Sequence, residues 1–334
     1  MSRRRPKPSF LEDGVLVVNK PAGPTSHDVV ERLRRRFRPA KLGHTGTLDP
    51  FATGVLVLAF NRATRMSNLL SAGDKVYAGT VSLGTATDTG DPTGEVIETA
   101  PVPEIGPEQA AAALASLEGE RMQAPPAYSA AKHQGKPLYA YARQGVAVEK
   151  EARPIRVEQA RLRAVEPGEI AFELTCSKGT YVRSLAEDLA RELGTVGHLK
   201  ELTRLASAPF GLDEALELEE ALELSGKQMA ERLIDLSQAL ERAGLPAVEV
   251  DEDTAWQVRQ GMILPREALL EPGSGPATGA FRVLTPEGEL VAVLRWLEPD
   301  ERRPGRDYES VRVFPAQDQG GLEDQTSASA LGAE

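Results

Sequence analysis

The stretch from Arg153 to Ser177, "RPIRVEQARLRAVEPGEIAFELTCS", constrains the fold more than any other. Two β-rich runs meet at Glu-Pro-Gly-Glu, a turn signal, so they read as two strands of a hairpin. A chain built around that hairpin must supply further strands beside it. "GVLVVNKPAGPTS" opens with the apolar run Val15 to Val18 and predicts a strand ending at Asn19 or Lys20. "VLVLAF", Val55 to Phe60, reads as a buried strand. "KVYAGTVSLG" alternates in polarity and predicts a strand from Lys75 to Leu83.

Helical patterns lie between these runs. Thr25 or Ser26 can cap a helix from about His27 to Phe37, which Pro39 would stop. A short helix is expected around Thr64 to Ser71. "PEQAAAALASLEG" predicts a helix with Pro107 in its first turn and Gly119 past its end, and "GKPLYAYARQG" predicts a short one. Val182, Leu185, Leu189 and Leu193 share one helical face, and Gly194 would end that helix. Strands and helices mix without regular βαβ alternation, which predicts the α+β class.

The 334 residues suffice for two or three domains. No apolar run approaches the roughly 20 residues that span a bilayer. The basic opening "MSRRRPKPSF" is followed by no apolar core, so a secretory signal is not expected. One cysteine, Cys176, allows no internal disulfide and fits a reducing compartment, most simply the cytoplasm. The four histidines and that cysteine are widely spaced, so no metal site is expected.

The net charge of −11 argues against a polyanion partner, but the charge is segregated. Residues 1–45 carry eleven Lys/Arg against four Asp/Glu, and residues 121–156 carry seven against two. Residues 213–253 carry three against thirteen and read as a helical connector. A polyanion needs a local basic face rather than a basic protein. The run Arg32 to Arg38, "RLRRRFR", is either such a face or an ordinary solvated helix surface.

The loop "GHTGTLDPFATG", Gly43 to Gly54, has neither helical nor strand periodicity. Its carboxylate, Asp49, precedes a proline that turns it away from helical geometry. An aspartate so placed can be a turn former, a cap, a metal ligand, an acid or base, or a nucleophile. The flanking Thr45, Thr47 and Thr53 could fix a carboxylate as a positioned nucleophile requires.

"GHTGTLDPFATGVL" closely resembles the signature of the TruB-type tRNA pseudouridine synthases. Four further blocks in the same order resemble that family. They are "LVVNKPAGPTSHDVV", "KVYAGTVSLGTATDTGDPTG", "QAPPAYSAAKHQGKPLYAYARQG" and "CSKGTYVRSLAEDL", and with the first they span about 14–205. The resemblance implies a mixed or antiparallel sheet in a catalytic domain, 14–246, after a basic tail, 1–13. The β-like runs after the acidic segment read as a small, mostly β module, 247–316, which resembles the family's PUA-like RNA-binding domain. Residues 317–334, small, polar and acidic without a core-forming pattern, read as a disordered tail. The implied activity is isomerisation of the T-loop uridine, position 55 of tRNA, to pseudouridine, with base flipping and no cofactor or metal. tRNA through its T-arm stem-loop would be the partner, with no membrane and no obligatory protein partner, the acting unit being a monomer.

The resemblance also implies roles. Asp49 would be the nucleophile, attacking C1′ of ribose or C6 of uracil. Arg183 would pair with Asp49 and keep it ionised, an opposite charge lowering a carboxylate's pKa. Tyr77 would stack on the uracil and help remove the C5 proton. Tyr181 and Asp91 would join the network around Arg183. His44 would fill the gap left by the flipped base, Lys20 and Pro21 would frame the pocket, and Leu202 would pack against the base. Lys20 could equally meet a phosphate. Lys132, Lys136, Arg143 and Arg153 would meet backbone phosphates. His133, Pro137 and Gly90 depart from the family's usual residues without touching Asp49 or Arg183. A non-catalytic RNA-binding or RNA-folding protein would not need Asp49 with Arg183. A two-carboxylate hydrolase would need an acid beside Asp49, for which Asp91 is the loop candidate.

Overall fold

The Arg153–Glu166 and Glu169–Cys176 strands pair antiparallel, with Glu166 opposite Glu169 across the turn. Gly168 makes that turn at φ +77, a conformation that needs no Cβ. The computed structural model describes residues 9–270, 278–298, 300–302 and 307–315. The acidic tail expected at 317–334 and most of the basic tail at 1–13 lie outside them.

The hairpin belongs to a ten-stranded mixed sheet. Its order runs Leu216–Glu217, Gly14–Lys20, Thr53–Phe60, Gly197–Ser207, Lys75–Leu83, Glu169–Cys176, Arg153–Glu166, Gly119–Gln123. Leu42–His44 pairs beside Thr53–Phe60, and Phe210–Gly211 beside Gly197–Ser207. Two contacts are parallel, Gly14–Lys20 with Leu216–Glu217 and Thr53–Phe60 with Gly197–Ser207. The remaining neighbours run antiparallel. In the Gly14–Lys20 and Thr53–Phe60 strands, residues of both parities are buried, so both faces are covered.

One core joins the sheet to its helices. The Ser26–Phe37 helix contributes Val29, Val30, Leu33 and Phe37, and the Val182–Glu192 helix contributes Leu185, Ala186 and Leu189. Thr25 caps the first of these. Its hydroxyl accepts from the Asp28 amide at 3.0 Å, and the Asp28 carboxylate accepts from the Thr25 amide at 2.9 Å. Arg38, left-handed at φ 52, ends it before Pro39.

Three expectations are corrected. The alanine-rich helix spans only Pro107–Ala115, and Gly119 opens an edge strand, Gly119–Gln123, instead of following the helix directly. The Glu118 carboxylate accepts from the Ala160 amide at 2.8 Å, so the sheet captures this segment against its local preference. The expected helix near Thr64 is a 3-10 turn, Asn61–Met66, followed by one helical turn, Ser67–Leu70.

The third concerns the acidic segment, which is no simple connector. It forms the short helices Leu218–Glu223, Gly226–Arg232 and Leu236–Arg242, and buries Leu218, Ala221 and Met229 in the main core. It also takes up the basic helix. Both Arg32 guanidinium NH2 groups donate to the Glu219 carboxylate at 2.8 Å. Arg36 donates to the carbonyls of Leu222 at 2.9 Å and Leu224 at 2.6 Å. The chain divides into two compact units after Gly244.

The second unit has its own core around Phe281, Val283, Leu294, Trp296 and Tyr308. Its four-stranded sheet runs Ala247–Glu249, Ala280–Leu284, Leu290–Trp296, Tyr308–Val313, parallel at the first pair and antiparallel thereafter. "TAWQVRQG" lies on and just past the Glu252–Arg259 helix. Asp251 caps that helix, its carboxylate accepting from the Thr254 amide at 2.7 Å.

Candidate active site

The Gly197–Ser207 strand lies between Thr53–Phe60 and Lys75–Leu83 and places Arg204 opposite Gly54 on one side and Tyr77 on the other. Gly54 has φ +101, and a Cβ there would stand 2.2 Å from the Arg204 carbonyl oxygen. Only glycine lets the strands approach so closely at this point.

Arg204 is buried, and its guanidinium holds the loop that carries Asp49. Nε donates to Val55 O at 2.7 Å, Nη1 to Thr47 O at 3.2 Å and Nη2 to Gly46 O at 3.1 Å. Other contacts fix the same loop. Ser26 Oγ donates to Leu48 O at 2.9 Å and accepts from the Leu48 amide at 2.8 Å. The Thr53 and Thr203 hydroxyls meet at 2.8 Å. Lys20 is fully buried, and Nζ donates to the carbonyls of Pro21, Pro24 and Pro50 at 2.7, 2.9 and 3.2 Å. Burial lowers its pKa to about 8. Lys20 therefore braces the frame, with Pro21 supplying a carbonyl, and the phosphate alternative for Lys20 is not supported.

Arg183, in the first turn of the Val182–Glu192 helix, is buried. Its Nε stands 3.0 Å from Asp49 Oδ2, and Nη1 stands 3.6 Å from Asp91 Oδ2. Nη2 donates to Tyr128 O at 2.6 Å, and Nη1 donates to Thr89 O. Asp91 Oδ1 accepts from the Thr89 hydroxyl at 2.8 Å, the Thr93 hydroxyl at 2.6 Å and the Thr93 amide at 2.9 Å. Asp91 is thus fixed behind Arg183, a place for a supporting carboxylate rather than for a second acid facing a substrate.

Asp49, Tyr77, Tyr181, Arg183, Leu202 and Arg204 all line a cavity of about 540 Å³. That volume falls within the range of small-ligand sites, roughly 300–1,000 Å³. The Tyr181 backbone is pinned by Gln123, whose amide oxygen accepts from the Tyr181 N–H at 2.7 Å and whose amide nitrogen donates to its carbonyl at 3.1 Å. Arg153 also lines the cavity. His44 ends the Leu42–His44 strand, next to the lining residue Thr45, and is not itself in the lining. Pro21 and Lys132 lie outside it too. Lys132 sits in a two-residue ladder with Pro137, and Arg143 lies over the Tyr139 ring at 5.4 Å.

The electrostatics differ in sign from the expectation at Asp49. Its side chain is 34% exposed into the cavity. Burial pushes its carboxyl above the usual carboxylate range, Arg183 opposes this, and Asp91 adds to it. Burial also raises the Tyr77 hydroxyl, with Arg204 opposing as neighbour and hydrogen-bond partner. His44 is pushed down, by burial first and by Arg204 second, so its ring is neutral at neutral pH. Its Nδ1 is buried without a partner.

Arg204 is the residue that the sequence reading missed. Its signal was the period-two alternation of "LTRL", which puts Arg204 on the same face as Leu202. Among the described residues no group of three or more His, Cys, Asp or Glu is placed to hold a metal. The arrangement offers a carboxylate clamped by one guanidinium, a buried phenol and an apolar wall around a nucleotide-sized space.

An α+β sheet domain with this cavity, followed by a small β-rich unit, defines the pseudouridine synthase architecture. The chain belongs to the TruB family of pseudouridylate synthases. Residues 34–182 match the N-terminal domain of the TruB family, and residues 245–315 match the C-terminal domain of tRNA pseudouridine synthase II. The tRNA pseudouridine synthase B of Geobacter sulfurreducens is 44% identical over 90% of this chain and 99% of its own. That of Aromatoleum aromaticum is 47% identical over 76% of this chain and 82% of its own. A solved Cbf5–Nop10–Gar1 complex superposes with a TM-score of 0.68 at 25% identity, covering 91% of this chain and 86% of that chain. The chain is accordingly an isomerase of the pseudouridine synthase class with a PUA-like C-terminal domain.

Proposed function

We propose that this chain isomerises the T-loop uridine, position 55 of tRNA, to pseudouridine, with Asp49 as nucleophile and without cofactor. The substrate class follows from relatives named as tRNA pseudouridine synthases that align over most of the chain. The observation that carries the mechanism is the 3.0 Å contact between Arg183 Nε and Asp49 Oδ2 at the wall of the cavity.

The target uridine flips out of its loop, at a cost of a few kcal/mol, roughly. His44, neutral and planar, occupies the space that the base leaves and offsets part of that cost. The uridine enters between Leu202 and Tyr77. Asp49 attacks C1′ or C6, the N1–C1′ bond breaks, the base turns, C5 bonds to C1′, the bond to Asp49 is released, and N1 ends protonated in place of C5. In that reading Tyr77 takes the C5 proton as its phenolate, a form that Arg204 favours against burial, and is left as the neutral phenol. The clamp fixes the attacking oxygen in line with its target, which supplies orientation rather than new chemistry.

Exposed Lys132, Lys136 and Arg143 carry no salt bridge among the described residues, which suits a phosphate track along the T-arm. In this reading the acting unit is a single chain.

The test is Asp49→Asn on a transcribed T-arm stem-loop. Pseudouridine formation is expected to fall on the order of 10⁴-fold or more, while Kd changes by no more than a few-fold. Full activity would falsify the assignment of the nucleophile. Joint loss of binding and activity would make Asp49 a folding residue.

A further inference from the structure

The cavity lining holds five cationic side chains, Lys75, Arg153, Lys178, Arg183 and Arg204, against one carboxylate, Asp49. Two of the five are guanidiniums held by three or more protein partners. Arg183 faces Asp49 and Asp91, and Arg204 donates to three carbonyls. Of the other three, Lys75 and Lys178 lie close enough to act on one another, and Arg153 shares the same lining. Lys75 opens its strand opposite Cys176, the last residue of Glu169–Cys176. Lys178 lies two residues beyond Cys176, and Arg153 opens the adjacent Arg153–Glu166 strand.

Lys75 is only 6% exposed, yet it borders the cavity. Its Nζ donates to Ser71 O at 3.1 Å and Gly73 O at 2.5 Å. An ammonium carries three N–H donors, so one remains. Lys178 and Arg153 are exposed and carry no salt bridge among the described residues. The groups acting on Lys75 are Arg204 and Lys178 on the cationic side and Cys176 and Asp74 on the other. Asp74 itself stands 3.8 Å from Arg156. A buried ammonium between two cations is stabilised by an arriving anion.

We propose that Lys75, Lys178 and Arg153 form a phosphodiester subsite that grips the RNA backbone next to the flipped uridine. It rests on the reading that a nucleotide enters this cavity. The ligand is a non-bridging phosphate oxygen, because a nucleotide reaching Asp49 brings its own charged linkage into the same space. This differs from the outer track at Lys132 and Lys136, which meets the stem from the surface.

Burial, with Arg204 second, lowers the Lys75 pKa to about 8. The free enzyme therefore loses this charge as pH rises through about 8, and RNA binding weakens there. An arginine at the same position keeps its charge throughout.

The experiment uses the full chain and synthetic T-arm stem-loops, each with one neutral methylphosphonate at a linkage flanking the target uridine. Lys75→Met is expected to raise KM about tenfold, as for one charged hydrogen bond, with kcat changed less than about threefold. At one linkage the neutral substitution and Lys75→Met should not add. The rise in KM above about pH 8 should vanish in Lys75→Arg. Additive penalties at every flanking linkage, or an unchanged KM in Lys75→Met, overturn the subsite. If Lys75→Met does not fold by circular dichroism, the exposed double variant Lys178→Gln/Arg153→Gln is tested against the same linkages with the same criteria. Wild-type conversion of the unmodified stem-loop is measured first. Its absence overturns the function proposed above along with the subsite, whereas its presence with additive penalties overturns the subsite alone.

Discussion

At Asp49 burial and Arg183 pull in opposite directions, and burial prevails. A raised carboxyl pKa means the folded protein holds this proton to a higher pH than the unfolded chain does. Between the two pKa values stability therefore falls as pH rises, and the cost of ionising Asp49 in the folded protein is carried above the ordinary aspartate range. Two outcomes follow. The acid limb of the kcat/KM profile should lie above the ordinary aspartate range, near 3.9, because the nucleophile must be ionised. Asp49→Asn should melt at a higher temperature than the wild type at pH 7, with the difference vanishing below the ordinary aspartate pKa. A lower melting temperature at pH 7 would show that the pair with Arg183 outweighs burial. Asp49, Tyr77 and Arg183 were legible as a set because their motifs are local. The sign at Asp49 was not, because burial is set by strands distant in sequence. Arg204 was legible only as a strand residue, since nothing local to "LTRL" says that its guanidinium turns toward the Asp49 loop.

At the scale of elements, three strands cross where Gly54, Arg204 and Tyr77 lie in register. Replacing Arg204 by lysine keeps one charge but loses the planar fork that reaches three carbonyls. Arg204→Lys should lower kcat by about ten- to a hundredfold, equivalent to roughly 1.5–3 kcal/mol of charged hydrogen bonding, with a smaller change in KM. Equal losses in kcat and stability would make Arg204 a fold residue only. Gly54→Ala forces both a left-handed backbone and a 2.2 Å contact with the Arg204 carbonyl. It should destabilise by about 3 kcal/mol or more, read as a lowered urea midpoint, because backbone strain and backbone displacement act together. Some elements were legible from their own residues. Pro-Gly between two β-rich runs made the hairpin, and Thr25 with Asp28 made the capped helix. The Gly119–Gln123 strand was not legible, because its pairing partner is Arg153–Glu166, some thirty residues on. An edge strand draws its stability from the neighbour it joins, not from its own pattern.

Over the whole molecule, the segregated charge in the sequence has two different destinations. Counting alone could not separate them. The basic helix at Ser26–Phe37 meets the acidic helix at Leu218–Glu223, so the Arg32 and Arg36 guanidiniums are bonded to protein groups while staying partly open to solvent. The segment 121–156 keeps Lys132, Lys136, Arg143 and Arg153 outside any salt bridge among the described residues. Counterion release counts only the charges that meet phosphate. The slope of log K against log salt for T-arm binding should therefore fall by about one for each of Lys132→Gln and Lys136→Gln. Arg32→Gln should leave the slope unchanged. Because the Arg32–Glu219 pair is half-exposed, its loss should cost no more than about 1 kcal/mol of stability. A slope that falls with Arg32→Gln and stays fixed with the two lysine variants would return the RNA-facing surface to the N-terminal helix. That result would also require the acidic segment to separate from that helix when RNA binds, since the same guanidinium cannot hold Glu219 and a phosphate at full strength together.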